Sequence, residues 1–145
     1  MIPMRKLMDK IKKNNKGFTL VELIVVIAVL AIITVVVAPQ YIKYVEKSKI
    51  GVDENAIGEI AHIAEIQWVE LNAADTVDGQ VVLTVDCDDT KATVEGKSGT
   101  GADELAESVT EILGTYKFKS DTYAGKTVDI TISKDGIADW DSLNS

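Results

Sequence analysis

The chain holds few residues whose chemistry could support catalysis. His62 is its only histidine and Cys87 its only cysteine, so no disulfide can form within the chain. Asp86, Asp88 and Asp89 surround Cys87 and predict a raised pKa for its thiol, because negative charge disfavours the thiolate. The sequence contains no Ser/His/Asp set, phosphate-binding loop, dinucleotide fingerprint or Cys/His metal spacing. We therefore predict no enzyme activity and no cofactor. We interpret Cys87 as a structural or incidental residue and His62 as a partly exposed helix residue.

Two clusters of aspartates could offer oxygen ligands to a calcium ion. Neither cluster has the spacing of a twelve-residue calcium loop, and acids in turns are usually solvated. We therefore predict solvated turn acids and no metal site. The clusters are Asp86/Asp88/Asp89 and Asp135/Asp139/Asp141.

Glu22 is the only charged residue in the run of 21 residues from Phe18 to Ala38. A helix needs about 20 apolar residues to cross a bilayer, so this run predicts a transmembrane helix. Thr34 does not disrupt it, because a threonine hydroxyl can bond back to its own helix. A carboxylate in such a helix is costly and requires a partner. This cost marks Glu22 as a candidate functional residue.

Charge is divided unequally along the chain. Residues 1–17 contain six basic residues and one acidic residue, a net charge of +5, whereas residues 18–145 contain nine basic and 22 acidic residues, a net charge of −13. A basic arm could bind nucleic acid, but this one lacks interleaved aromatic residues and leads directly into the apolar run. Positive charge beside a transmembrane segment keeps that end in the cytoplasm. Residues 1–17 are therefore predicted to be a leader peptide.

The segment Lys16-Gly17-Phe18-Thr19-Leu20-Val21-Glu22 resembles the class III signal of type IV prepilins, over roughly residues 12–40. The resemblance implies that a prepilin peptidase cuts after Gly17 and methylates the new amino-terminal Phe18. It also implies that Glu22 pairs with the amino group of Phe18 on a neighbouring subunit during assembly. Glycine suits the cleavage position because a protease can approach its backbone closely.

This resemblance implies a structural subunit of an extracellular type IV pilus, a helical homopolymer held together by hydrophobic stems. The expected partners are other copies, the prepilin peptidase, the pilus assembly ATPase, the platform protein and the membrane. Before assembly the chain would cross the inner, cytoplasmic membrane once with its amino terminus in the cytoplasm. The single cysteine excludes the disulfide found in many relatives, which favours a Gram-positive source.

Three alternatives remain open. A pseudopilin of a type II-like secretion or competence system would share every stem feature, and only a competence pseudopilin would bind nucleic acid. A single-pass anchored binding domain would carry a membrane helix without polymerising. An ordinary secretory signal, with Val36 and Ala38 as its cleavage pair, is disfavoured because Pro39 would follow the cut and Glu22 would lie in the apolar core.

The helical pattern continues after the apolar run. Pro39 removes a hydrogen bond to Val35 and is predicted as a helix break or kink. Beyond it an amphipathic helix is predicted to Asn72, so a continuous helix would run from Phe18 to Asn72. Its apolar face is expected to comprise Ile50, Ile57, Ile60, Ala61, Ala64, Trp68 and Leu71, with charged residues that include Asp53 between them.

Residues after Asn72 favour short strands and one helix. Strands are predicted at residues 80–86, 90–95, 115–119, 127–133 and 137–140, a glycine-rich loop at 96–101 and a hairpin turn at 134–136. A helix is predicted at residues 103–113 with Asp103 as its cap. The expected fold class is α+β, a pilin-like lollipop in which one long helix packs on a small antiparallel sheet.

Three regions follow from these patterns. Residues 1–17 form the leader, residues 18–41 the transmembrane and filament-core helix, and residues 42–145 the soluble head, which includes the amphipathic helix 42–72.

Overall fold

The computed structural model describes residues 3–6 and 17–143. The chain divides into two compact units, residues 1–42 and 43–145, each described here by itself. Most of the predicted leader, residues 1, 2 and 7–16, lies outside the described residues.

The first element, α1, is a helix of 54 residues from Leu20 to Ala73. It begins two residues after the predicted start at Phe18 and ends one residue after Asn72. Pro39 lies inside α1, so the predicted break is not an end of the helix. A proline ring already holds the φ angle of a helix and removes one backbone hydrogen bond, which leaves the bonds on either side intact.

The second unit contains a four-stranded antiparallel sheet and a second helix. The strands are β1, Asp78–Cys87; β2, Thr93–Thr100; β3, Lys126–Ile132; and β4, Ala138–Trp140. Their order across the sheet is β2-β1-β3-β4, and α2, Ala102–Leu113, joins β2 to β3. A long helix with a small antiparallel sheet confirms the predicted α+β, pilin-like fold class.

The core of this unit lies between the sheet and one face of α1. In β1 and β3 the buried residues alternate with more exposed ones, and Leu83 opposes Ile130 while Val85 opposes Val128. This alternation is typical of a sheet with one covered face. On α1 the predicted stripe is confirmed, with Ile50 and Leu71 partly buried at its ends. The buried residues of α1 are Asp53, Ala56, Ile57, Ile60, Ala61, Ala64 and Trp68.

The glycine-rich segment at 96–101 was predicted as a loop, and this prediction is wrong because β2 continues to Thr100. Gly96 permits the continuation. A Cβ at this position would lie 2.6 Å from the backbone carbon of Ala102 and 2.7 Å from the nitrogen of Asp103. The strand can therefore pass against the start of α2 only without a side chain. Asp103 is not the cap of α2, since Gly101 occupies that position in a left-handed conformation and makes no side-chain bond.

The strand predicted at residues 115–119 is absent from the described structure. Ala92 donates its N–H to the carbonyl of Tyr116, and Phe118 donates to that of Asp88. The N–H groups of the next residues, Lys119 and Ser120, donate hydrogen bonds to a side chain on α1 and not to a neighbouring strand. The alternating pattern of Tyr116 and Phe118 reflects burial beside α1 and not membership of the sheet.

Asp53 is the α1 residue whose side chain accepts these bonds. It is fully buried, although it was predicted to lie on the polar side of the helix. Its carboxylate accepts hydrogen bonds from the Tyr116 hydroxyl at 3.0 Å, the Lys119 N–H at 3.0 Å and the Ser120 N–H at 2.7 Å. A buried carboxylate is stable only when its oxygens receive donors of this kind. The helical spacing contained the signal, since Asp53 lies four and seven residues before the buried Ile57 and Ile60.

Side chains from the helices also bond to both outer strands of the sheet. The Thr110 hydroxyl of α2 donates to the carbonyl of Val94 in β2 at 3.4 Å. The Glu65 carboxylate of α1 accepts the N–H of Ala138 in β4 at 2.8 Å. Such contacts occupy edge groups that could otherwise pair with another strand.

Cys87, the last residue of β1, is fully buried in the core. Burial is the main cause that raises the pKa of its thiol from 9.0 to about 12, and the negative charge of Asp86 adds to the shift. The predicted direction is confirmed, but burial contributes more than the neighbouring acids. The thiol is inert at neutral pH, as expected of a core cysteine.

We expect Asp53→Ala to destabilise the fold, because it leaves two backbone donors and the Tyr116 hydroxyl buried without an acceptor. The free energy of unfolding should fall by about 3 kcal/mol or more. Urea titrations of the full chain in detergent, followed by tryptophan fluorescence, would measure this change. Glu59→Ala, which removes an exposed acid from the same helix, should stay within about 0.5 kcal/mol of the wild type. Equal midpoints for both variants would refute a stabilising role for Asp53.

The raised pKa of Cys87 predicts a loss of stability at alkaline pH. The unfolded chain releases the thiol proton from about pH 9, whereas the folded chain holds it to about pH 12. The stability that the folded chain gains from this difference in thiol pKa is therefore fully present below pH 9. Above pH 9 it declines by up to about 1.4 kcal/mol per pH unit.

Cys87→Ala removes the titrating group and should flatten this decline. At pH 7 the variant should be less stable than the wild-type protein. Unfolding free energies of both proteins at pH 7 to 11 would test the prediction. Parallel curves above pH 9 would contradict it. Tyr116, whose pKa burial and its bond to Asp53 raise to about 12, is common to both proteins and does not affect the comparison.

Candidate processing and assembly site

Gly17, Phe18 and Thr19 form a non-helical segment directly before α1. The Phe18 side chain is 79% exposed. Apart from the two residues adjacent in the chain, nothing in the described structure lies within 4 Å of the position where a Cβ would stand on Gly17. The peptide bond between Gly17 and Phe18 is therefore open to approach, as a protease substrate must be. The predicted basic residues at 10, 12, 13 and 16 lie outside the described residues.

Thr19 and Glu22 close the first turn of α1 by reciprocal hydrogen bonds. The Glu22 carboxylate accepts the N–H of Thr19 through Oε2 at 2.9 Å, and the Thr19 hydroxyl accepts the N–H of Glu22 at 3.3 Å. This arrangement is a capping box, in which two backbone donors at a helix start are satisfied by side chains. Its Thr-x-x-Glu pattern is visible in the sequence, but the sequence interpretation missed it.

The capping box changes the account of Glu22. A carboxylate in the first turn is favoured by the partial positive charge at the amino end of a helix. Glu22 therefore has a structural role within a single chain, in addition to any role between chains. Its Oε1 makes no hydrogen bond within the described part of the chain. One carboxylate oxygen caps the helix and the other remains available.

The surface that follows Glu22 is apolar on all sides. Every large apolar residue from Leu20 to Val37 is between 49% and 77% exposed. By length and composition, α1 is the one helix in residues 3–6 and 17–143 that could cross a membrane. Thr34 donates its hydroxyl to the carbonyl of Leu30 at 2.7 Å, which confirms the predicted bond within the helix. This exposed apolar surface and the signal before it are consistent with a transmembrane helix.

The remaining candidate residues do not form a site for chemistry. His62 is exposed and lies 3.4 Å from the Glu65 carboxylate. Asp88 accepts the N–H and hydroxyl of Thr90, and these bonds lower the pKa of its carboxyl. Within the described ranges, no three His, Cys, Asp or Glu side chains are grouped to hold a metal ion. Asp139 and Asp141 line an open groove of about 320 Å³ beside β3 and β4.

Residues 12–38 match the family model described as the prokaryotic N-terminal methylation motif. The match contains Gly17, Phe18, Thr19 and Glu22, whose geometry is given above. No curated protein and no solved structure matches the chain significantly. The match to the class III signal of type IV pilins at residues 12–38 and the exposed apolar helix together support a prepilin-like protein.

Proposed function

We propose that this protein is a structural subunit of a type IV pilus and has no catalytic role. The observation that carries the proposal is the exposed apolar surface of α1 from Leu20 to Val37, which begins directly after a class III signal. Such a surface is stable in lipid, and outside lipid it needs other apolar surfaces to cover it. Other copies of the same helix are the cover that a polymer provides.

The membrane stage follows from charge and access. The net charge of +5 in residues 1–17 holds the amino terminus in the cytoplasm. Prepilin peptidase then cuts the open bond after Gly17 and methylates Phe18. The pilus assembly ATPase and platform protein lift the processed subunit out of the membrane. The acidic residues 43–145 face the extracellular side throughout.

Glu22 acts at the assembly stage. Cleavage creates a positive amine at Phe18, and the amine of one subunit approaches the Glu22 carboxylate of another. Because Oε2 is engaged by Thr19, Oε1 receives the amine. A charge pair in this apolar setting is strong, and an unpaired charge there is costly. The same carboxylate thus caps the start of its own helix and fixes the axial position of the neighbouring subunit.

A pseudopilin of a secretion or competence system would share the signal, the capping box and the apolar helix. A single-pass anchored binding domain would share only the apolar helix, since it has no use for a class III signal. The experiments below separate these functions by processing, by filaments and by phenotype.

We expect Gly17→Val to block processing, because the peptidase must approach the backbone where glycine has no side chain. The variant should accumulate in the membrane as an uncut precursor, heavier by the 17-residue leader on a gel. Gly51→Val, an open glycine within α1, is the control and should be cut normally. Normal maturation of Gly17→Val would contradict the class III assignment.

We expect Glu22→Gln to insert and be cut normally but to yield few filaments. Glutamine can keep the capping box, so this variant removes only the charge. Thr19→Ala removes the capping hydroxyl but keeps the charge, at a cost of about 1 kcal/mol in helix stability. We expect Thr19→Ala to retain most filaments. Filament counts by electron microscopy, beside a blot of the membrane fraction, would compare the variants.

Wild-type filament numbers in Glu22→Gln would show that capping, and not the ion pair, explains Glu22. Secretion and DNA uptake should be scored in the same strains. Loss of filaments with both processes intact supports a pilus subunit. A defect in either process, with no surface filaments in the wild type, would instead indicate a pseudopilin.

A further inference from the structure

A second exposed face of α1 lies just beyond the apolar segment. Lys43, Tyr44, Lys47 and Ser48 are all exposed, and Tyr44 is 71% exposed. Lys43 and Lys47 are four residues apart, as are Tyr44 and Ser48. The two pairs therefore form adjoining rows on one side of the helix. We call these four residues the basic collar. All four are exposed, whereas Val45, Glu46, Lys49 and Ile50 on the adjoining rows are half-buried.

The side of α1 that adjoins the collar makes contacts within the unit. Glu46 accepts the N–H of Thr122 at 3.3 Å, and Ile50 packs against the hydrophobic core. Lys43 and Lys47 lie beside these contacts and remain exposed. Neither lysine forms an ion pair with any residue that the structure describes. Within residues 3–6 and 17–143, these two exposed cations have no acidic partner.

Charge in the rest of the unit makes the collar distinct. Residues 51–145 contain six basic and 20 acidic residues, a net charge of −14, whereas residues 39–50 contain three lysines and one glutamate. Residues 39–50 therefore carry a net charge of +2 next to a strongly acidic remainder. A surface of net charge −14 is repelled by an anionic bilayer, and the collar opposes this repulsion locally.

The position of the collar matches the edge of a bilayer. Lys43 follows the end of the 21-residue apolar run at Ala38 by five residues, and a run of about 20 apolar residues spans a hydrocarbon core about 30 Å thick. Tyrosine is enriched at this level because its ring is apolar and its hydroxyl is polar. Lysine there extends its ammonium group to the phosphates.

We propose that the basic collar binds the phosphate groups of anionic phospholipids on the outer face of the membrane and holds the processed subunit at a fixed depth before extraction. Lys43 and Lys47 supply the charge, and Tyr44 lies between lipid tail and headgroup. The occupant is lipid because the collar continues directly from the transmembrane segment. This proposal rests on the membrane-inserted stage of the proposed function and not on polymerisation.

The test uses the full-length processed protein in vesicles, with Ser48→Cys labelled by an environment-sensitive fluorophore. Cys87 is buried and its thiol stays protonated, so labelling under native conditions is confined to position 48. Vesicles of phosphatidylcholine alone are compared with vesicles that contain phosphatidylglycerol. We expect a blue shift of the emission in the anionic vesicles, which 0.5 M salt reduces because exposed charges are then screened.

Lys43→Gln/Lys47→Gln should abolish the difference between the two vesicle types. Lys91→Gln/Lys134→Gln removes the same amount of charge from exposed positions elsewhere. This control variant should retain the difference between the two vesicle types. Identical spectra in both vesicle types, or an unchanged shift in the collar variant, would overturn the proposal. A shift that depends on the ratio of protein to lipid, and not on lipid charge, would also overturn it by identifying a second copy as the occupant.

Filament counts for the collar variant separate this proposal from the proposed function. A collar variant that lacks the lipid response yet still polymerises supports the collar and leaves the pilus assignment intact. A wild-type protein that shows the lipid response but never forms filaments would contradict the pilus assignment alone.

Discussion

The fold of residues 43–145 depends on the hydrogen bonds between Asp53 and the segment 116–120. This segment connects α2 to β3 without belonging to the sheet, so its backbone donors have no strand to pair with. Asp53 accepts two of them and also the Tyr116 hydroxyl, from a helix position that is completely buried. The chain cannot close this region with a disulfide, since it has one cysteine. A charged acceptor on the helix supplies the connection instead.

Other carboxylates on α1 act in the same manner. Glu46 accepts the N–H of Thr122, Glu54 accepts the Tyr123 hydroxyl and Glu65 accepts the N–H of Ala138. The helix therefore contributes an apolar stripe to the core and a series of acceptors to the chain that surrounds it. This use of carboxylates explains why a helix rich in glutamate can lie against a sheet. Part of the strongly acidic composition is structural, and only the remainder is simple surface charge.

Glu22 and Asp53 show two ways in which one helix accommodates an acid. At Glu22 the backbone of the first turn provides the donors, so the carboxylate is stabilised without any tertiary contact. At Asp53 the donors come from residues more than 60 positions later in the chain. The first arrangement forms as soon as the helix does and leaves one oxygen for a neighbouring subunit. The second forms only when the whole unit has folded.

The sequence alone determined the features that depend on neighbouring residues. The apolar run after Gly17 and Phe18, the stripe from Ile57 to Trp68, the fold class and the turn at 134–136 all follow from local composition or periodicity. The Thr19–Glu22 capping box was also legible there, although it was missed. Tertiary structure decided the rest. Asp53 is buried because distant donors surround it. Residues 115–119 leave the sheet because the N–H groups of Lys119 and Ser120 bond to Asp53. The strand β2 continues through Gly96 because α2 passes beside it. The helical spacing placed Asp53 on the buried side of α1, but the donors that stabilise it there, like the groups behind the other two outcomes, lie far along the chain and are not encoded by local patterns.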